Sequence, residues 1–134
     1  MEIYTPERPF FQGEVSSLIM PALDGLHGVM AGHEAMVTAI EPGVLKYRTA
    51  DGRWHLAAVS KGFAEVMPER TVLLVSTAER PSEIDEQRAQ EAMERATSRL
   101  HHLPTSQDEY RFSLNALARA RARIQAKRER EKMK

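Results

Sequence analysis

The chain changes its hydrophobic period once. Up to about residue 80 the apolar side chains come in short runs: "EVSSLIMP", "HEAMVTAI", "GVLKYR", "RWHLAAVS", "GFAEVM" and "TVLLVS". These runs are rich in β-branched and aromatic residues and are separated by turn residues, the pattern of strands. In "GVLKYR", Leu45 and Tyr47 alternate with Lys46 and Arg48, which predicts one buried side and one wet side. Ala50-Asp51-Gly52-Arg53 reads as a hairpin turn, because glycine accepts positive φ. Glu41-Pro42-Gly43 and Met67-Pro68-Glu69-Arg70 punctuate the chain as well. Short strands at this spacing predict an antiparallel β-sandwich or barrel of about eight to ten strands.

The period becomes helical at "AERPSEID". Ser82 with Asp85 three residues later forms a capping pattern, so a helix is predicted from there to about His101. Along it Asp85, Arg88, Ala92, Arg95 and Arg99 share one face, while Ala89, Met93, Ala96, Leu100 and Leu103 form an apolar stripe beside it. Pro104 breaks the pattern, and Ser106 with Glu109 offers a second capping box. A second helix is predicted from about Gln107 towards residue 130, with Tyr110, Leu114, Leu117 and Ile124 as apolar positions and alanines interleaved. The expected form is an antiparallel two-helix hairpin with a thin, alanine-rich seam. The division is residues 1–80 for the sandwich and 81–134 for the hairpin.

Hydrophobic residues make up 42% of the 134, enough for a core, and no apolar run approaches the ~18 residues of a membrane span. The opening MEIYTPERPF lacks the basic-then-apolar layout of a signal peptide. The absence of cysteine removes disulfides, thiolate chemistry and sulfur-based zinc sites, and fits a cytosol-facing location. Net charge is zero, but residues 1–80 carry −3 and residues 81–134 carry +3; from Tyr110 onward the balance is +7. A basic C-terminal segment on a neutral chain points to an acidic partner, to nucleic-acid phosphates, or to a solvated helix face.

Catalytic chemistry is hard to find. "GLHGVMAGH" is glycine-rich, but no Gly-Lys-Ser/Thr follows, so turns explain its glycines better than a phosphate loop does. His27 and His33 have only carboxylates such as Asp24 and Glu34 for company, a poor metal set. No Ser-His-Asp set or catalytic carboxylate pair stands out, and no metal or cofactor is required. The arginine stripe reads most simply as surface ion pairs of Asp85 with Arg88 and of Glu91 or Glu94 with Arg95. The alternatives are a neighbouring helix or an anionic ligand.

Several fragments in order carry a family resemblance: "TPERPFFQGEV", "GLHGVMAGHEAMVTAIEPG", "GFAEV" and "TAERPSEIDEQRA". Together they cover most of residues 5–89, and in this order the chain resembles the ε subunit of bacterial F-type ATP synthases. The resemblance implies a ten-stranded β-sandwich followed by a two-helix hairpin. It also implies a non-catalytic central-stalk subunit that joins the γ subunit and the c-subunit ring and couples proton-driven rotation to ATP synthesis. The location implied is the cytoplasmic face of the bacterial membrane, as a peripheral part of the complex. The hairpin is implied to inhibit ATP hydrolysis when its basic second helix reaches acidic loops of the β subunits, with Arg121, Arg128 and Arg130 as contacts. Leu26 and His33 match the loop that meets the c ring, although Leu26 stands where the family has an acid.

Some members of that family bind ATP as a regulatory ligand in the compact form. The positions matching that motif are Ile84, Asp85, Arg88 and Ala89, followed by Arg95, with Arg119 and Arg123 from the second helix and Glu79 ahead of the first. The resemblance implies guanidiniums on the triphosphate, acids nearer ribose and adenine, and Ala89 leaving room for the ring. The competing readings are a basic nucleic-acid-binding module and a small β-sandwich enzyme.

Overall fold

The computed structural model describes residues 1–22, 25–30, 35–102 and 106–133, with the side chains of Leu26, His27 and Met30 set aside. His33, Asp24, Glu34, Leu103 and the break at Pro104 lie outside the described residues, and so does the side-chain placement of Leu26 and His27.

Ten strands precede the helices: β1 (Glu2–Tyr4), β2 (Pro9–Gln12), β3 (Val15–Ala22), β4 (Gly25–Met30), β5 (Met36–Ile40), β6 (Gly43–Thr49), β7 (Trp54–Val59), β8 (Gly62–Val66), β9 (Thr71–Val75) and β10 (Ala78–Glu79). They run β10-β7-β6-β3-β5-β8-β9-β1-β2, with β4 also on β3. The long β3 turns the corner: it pairs with β6 over Val15–Ile19, with β4 over Ser17–Ala22, and meets β5 only at Ala22 opposite Ile40. One layer therefore holds β10, β7, β6, β3 and β4; the other holds β5, β8, β9, β1 and β2. The pairing is antiparallel except for β1 on β9, which is parallel. Those two strands lie far apart in the chain, so no tight turn imposes a direction on them.

The alternation along each strand fills the space between the layers. Ile3, Leu18, Met20, Ile40, Leu45 and Leu73 are fully buried there, with Phe10, Tyr47 and Val59. Gly52 at the β6–β7 turn has φ of +82°, the conformation its Asp-Gly setting predicts. The outer faces differ. Cross-strand registers put Ala39, Phe63 and Leu74 in one row on β5, β8 and β9, next to Val37 and Val72. Val37, Phe63 and Leu74 are 72%, 63% and 56% exposed, so this face carries a bare apolar row. On the other side Val44 pairs with Ala58, Lys46 with Leu56 and Arg48 with Trp54. That face is covered by α2, so the side expected to be wet is partly under protein.

The first helix begins later than the capping pattern predicts. Pro81–Glu83 forms a single 3-10 turn, Ile84 is extended, and α1 runs Glu86–His101 with Asp85, not Ser82, as its N-cap. The Arg88 N–H donates to Asp85 Oδ1 at 3.1 Å. The correction has a steric origin: Pro81 opens a turn that stops after three residues, and Ile84 must turn inward before the helix can start. α2 spans Gln107–Lys132, and its Ser106 cap is as predicted, the Glu109 N–H donating to Ser106 Oγ at 3.1 Å. The buried positions of α2 are Ser113, Leu117, Ala120, Ala122, Ile124 and Ala126. Tyr110 and Leu114, expected on the seam, are exposed, because the buried stripe steps through 113, 117, 120 and 124 and leaves Leu114 on its flank.

Candidate functional site

The junction of hairpin and sandwich is a small apolar cluster of Val44, Leu56, Ala58, Ile84, Ala122 and Ala126. Two alanines on α2 let the helix lie close to β6 and β7, and Ile84 fills the remaining corner. Polar contacts ring this cluster. Arg123 Nε donates to Glu79 Oε1 at 2.6 Å, joining α2 to the short edge strand β10. Lys127 Nζ donates to the Pro81 carbonyl at 3.0 Å. Lys46 of β6 pairs with Glu129 at 2.9 Å, and Arg128 approaches Glu86 at 3.8 Å. Burial works to raise the Glu129 pKa, but the Lys46 ammonium and the Gln125 amide outweigh it and hold the carboxyl below its ordinary value.

The predicted nucleotide residues fall into three groups. Ile84 and Ala89 are buried, the first in the junction cluster and the second on α1 with Ala96. Asp85 spends its carboxylate on the helix cap, and Glu79 and Arg123 neutralise each other. Arg88 and Arg95 are exposed on α1 and Arg119 is half-buried on α2. Among the described residues these three make no ion pair, so neither the Asp85–Arg88 nor the Glu91/Glu94–Arg95 surface pair forms. Arg99 packs against the Phe112 ring at 5.8 Å, a contact between the helices that neither stripe predicted. Of the predicted β-subunit contacts, Arg121 and Arg130 are exposed and Arg128 is the partner of Glu86.

The latch contacts of Lys46, Lys127 and Glu129 were not predicted. Their partners lie tens of residues away, beyond the reach of any helical or strand period. The one local hint is that Glu129 is an acid inside a strongly basic segment. No group of three or more metal-ligating side chains occurs among the described residues, and none of their helices is long and apolar enough to cross a membrane.

The comparisons with known proteins follow this division into strands and helices. The ATP synthase Delta/Epsilon chain beta-sandwich domain matches residues 1–81, and the long alpha-helix domain of the same chain matches residues 82–128. The chain belongs to the ATP synthase delta/epsilon family. Among its relatives, the ATP synthase epsilon chain of Ruminiclostridium cellulolyticum is 46% identical over 120 residues, covering 90% of this chain and 88% of the relative. That of Caldicellulosiruptor saccharolyticus is 42% identical over 121 residues, covering 90% and 86%. A chain from the Euglena gracilis mitochondrial ATP synthase, solved as OSCP, F1 and c-ring, shares the fold at a TM-score of 0.79 and 23% identity, covering 93% of this chain and 78% of that one. A chain from the central stalk and c-ring of the Tetrahymena thermophila enzyme does so at 0.62 and 13%, covering 94% and 93%.

Proposed function

We propose that this chain is a non-catalytic central-stalk subunit of a proton-translocating F-type ATP synthase, and that its hairpin is a releasable inhibitor of ATP hydrolysis. The observation that carries the proposal is the contrast between the two outer faces of the sandwich. The β5-β8-β9 face presents Val37, Phe63 and Leu74 to solvent and suits a permanent protein partner, the γ subunit. The β6-β7 face is covered by α2 through alanines and a few ion pairs, a contact weak enough to open. The c-subunit ring is the partner proposed for Leu26 and His33.

Released from the sandwich, α2 carries Arg121, Arg128 and Arg130 to acidic loops of the β subunits, where partly screened charge holds it. ATP opposes release. Arg88, Arg95 and Arg119 have guanidiniums without ion-pair partners among the described residues, and Arg123 has N–H groups to spare beyond its bond to Glu79. A ligand that binds only the docked hairpin stabilises it by about 1.4 kcal/mol at ten times its Kd.

The deciding experiment is ATP hydrolysis by the parent complex with and without residues 81–134. Loss of the hairpin raises hydrolysis while assembly persists; unchanged hydrolysis removes the inhibitory role. Calorimetry on the isolated chain tests the nucleotide: Arg88→Ala weakens ATP binding roughly ten- to a hundredfold. Equal affinity in both forms returns the arginine stripe to a solvated surface.

A further inference from the structure

A second cationic cleft lies away from the α1 arginines. Strand β7 pairs with β10 only at Ala58 and Val59, so its outer edge is open from Trp54 to Ala57. The C-terminal end of α2 passes this edge and closes a cleft of about 460 Å³. Three arginines reach it from three elements: Arg53 from the β6–β7 turn, Arg80 after β10, and Arg130 from α2. Tyr47, Trp54, His55 and Ser82 complete the polar and aromatic lining, and among the described residues no carboxylate belongs to it.

The arginines are not exhausted by internal contacts. Arg130 has no ion pair among the described residues. Arg53 has only a 3.7 Å approach to Asp51, with its side chain 82% exposed. Arg80 is the anchored member: it donates to Glu83 at 3.2 Å and to the Phe10 carbonyl at 2.8 Å and stacks over the Phe10 ring. A guanidinium has five N–H donors, so three remain. His55 is oriented by stacking on Tyr47 and by its bond with Thr49. One anchored and two exposed guanidiniums around an open cleft suit an anion with several oxygens and more than one negative charge.

We propose that this cleft binds a phosphate polyanion, and does so only while α2 is docked, because Arg130 leaves with the helix. This goes beyond the nucleotide reading of α1, shares no residue with it, and rests only on the docked arrangement. Arg130 then has two uses. Docked, it faces the anion; released, it is free for an acidic protein surface. An occupied cleft holds the hairpin down.

Trp54 is the only tryptophan in the chain, so its emission reports on this cleft. The full-length subunit is titrated with tripolyphosphate and, separately, with ATP. Saturable changes with both identify the phosphates as the recognised group; a change with ATP alone assigns the Trp54 side to the base. In either case Arg130→Ala and Arg53→Ala each weaken binding about tenfold or more, and Arg111→Ala, an exposed residue of α2 outside the cleft, leaves it unaltered. Far-UV circular dichroism confirms that these exposed substitutions leave the fold intact. No saturable change at millimolar probe overturns the proposal. So does a change that Arg88→Ala abolishes and Arg130→Ala does not, since the signal then comes from the α1 arginines.

Discussion

Gly62 has no room for a side chain. A Cβ there would sit 1.9 Å from the Leu74 carbonyl oxygen and 2.7 Å from Val75 Cα, both of them backbone atoms that cannot rotate aside. The glycine of "GFAEV" thus sets how closely β8 and β9 approach, and Gly62→Ala is expected to cost about 3 kcal/mol or more, read as a drop in the urea midpoint. Ser113 is the opposite case. Its hydroxyl is fully buried on α2 and has no hydrogen-bond partner among the described residues. Ser113→Ala removes an unsatisfied polar group and improves helix propensity, and is expected to stabilise the hairpin by about 1 kcal/mol in thermal unfolding. Neither effect is legible at its own position in the sequence. Glycine in a strand signals a close approach without naming the neighbour, and a serine among alanines looks like one more small residue.

Element boundaries were legible where the deciding contact is local. Ser106 and Glu109 stand three apart in the chain and three apart in the cap, so the start of α2 follows from spacing alone. At α1 two candidates, Ser82 and Asp85, compete three residues apart, and the choice falls to Ile84, whose burial against Val44 and Leu56 is a tertiary fact. Ile84→Ala is expected to cost about 2–4 kcal/mol of docking while leaving the sandwich folded. Hydrogen exchange checks this: α2 amides lose protection and β-strand amides do not. The Glu129–Lys46 latch adds a pH dependence with a definite sign. Because the docked carboxyl titrates below the ordinary glutamate value of 4.5, its contribution is complete above that pH and is lost as pH falls through the depressed value. Docking should therefore loosen on the acid side, and Glu129→Gln should flatten that limb of the curve, followed by Trp54 emission between about pH 3 and 6.

For the whole molecule, the change of period near residue 80 located the passage from strands to helices, and the ordered family fragments pointed to the epsilon chain. What the pattern left open was which faces meet. The pairing of β1 with β9, the docking of α2 on β6 and β7, and the Glu79–Arg123 bond all join distant segments. The arginines of α1 were legible as a stripe, but that they make no ion pair among the described residues was visible only in three dimensions. Truncation after Arg80 is expected to leave a folded sandwich, since its core residues all lie between Ile3 and Ala78; a sharp, cooperative unfolding transition of the fragment checks it. Such a fragment newly bares little more than Val44, Leu56 and Ala58, with Lys46 among them. The larger hazard to solubility is the row of Val37, Phe63 and Leu74, which stays bare even in the intact chain. With a net charge of zero and a pI near 7.0, copies of this chain do not repel one another at neutral pH. A copy with that row uncovered is therefore expected to be least soluble near pH 7, its solubility rising as the pH moves away from the pI on either side.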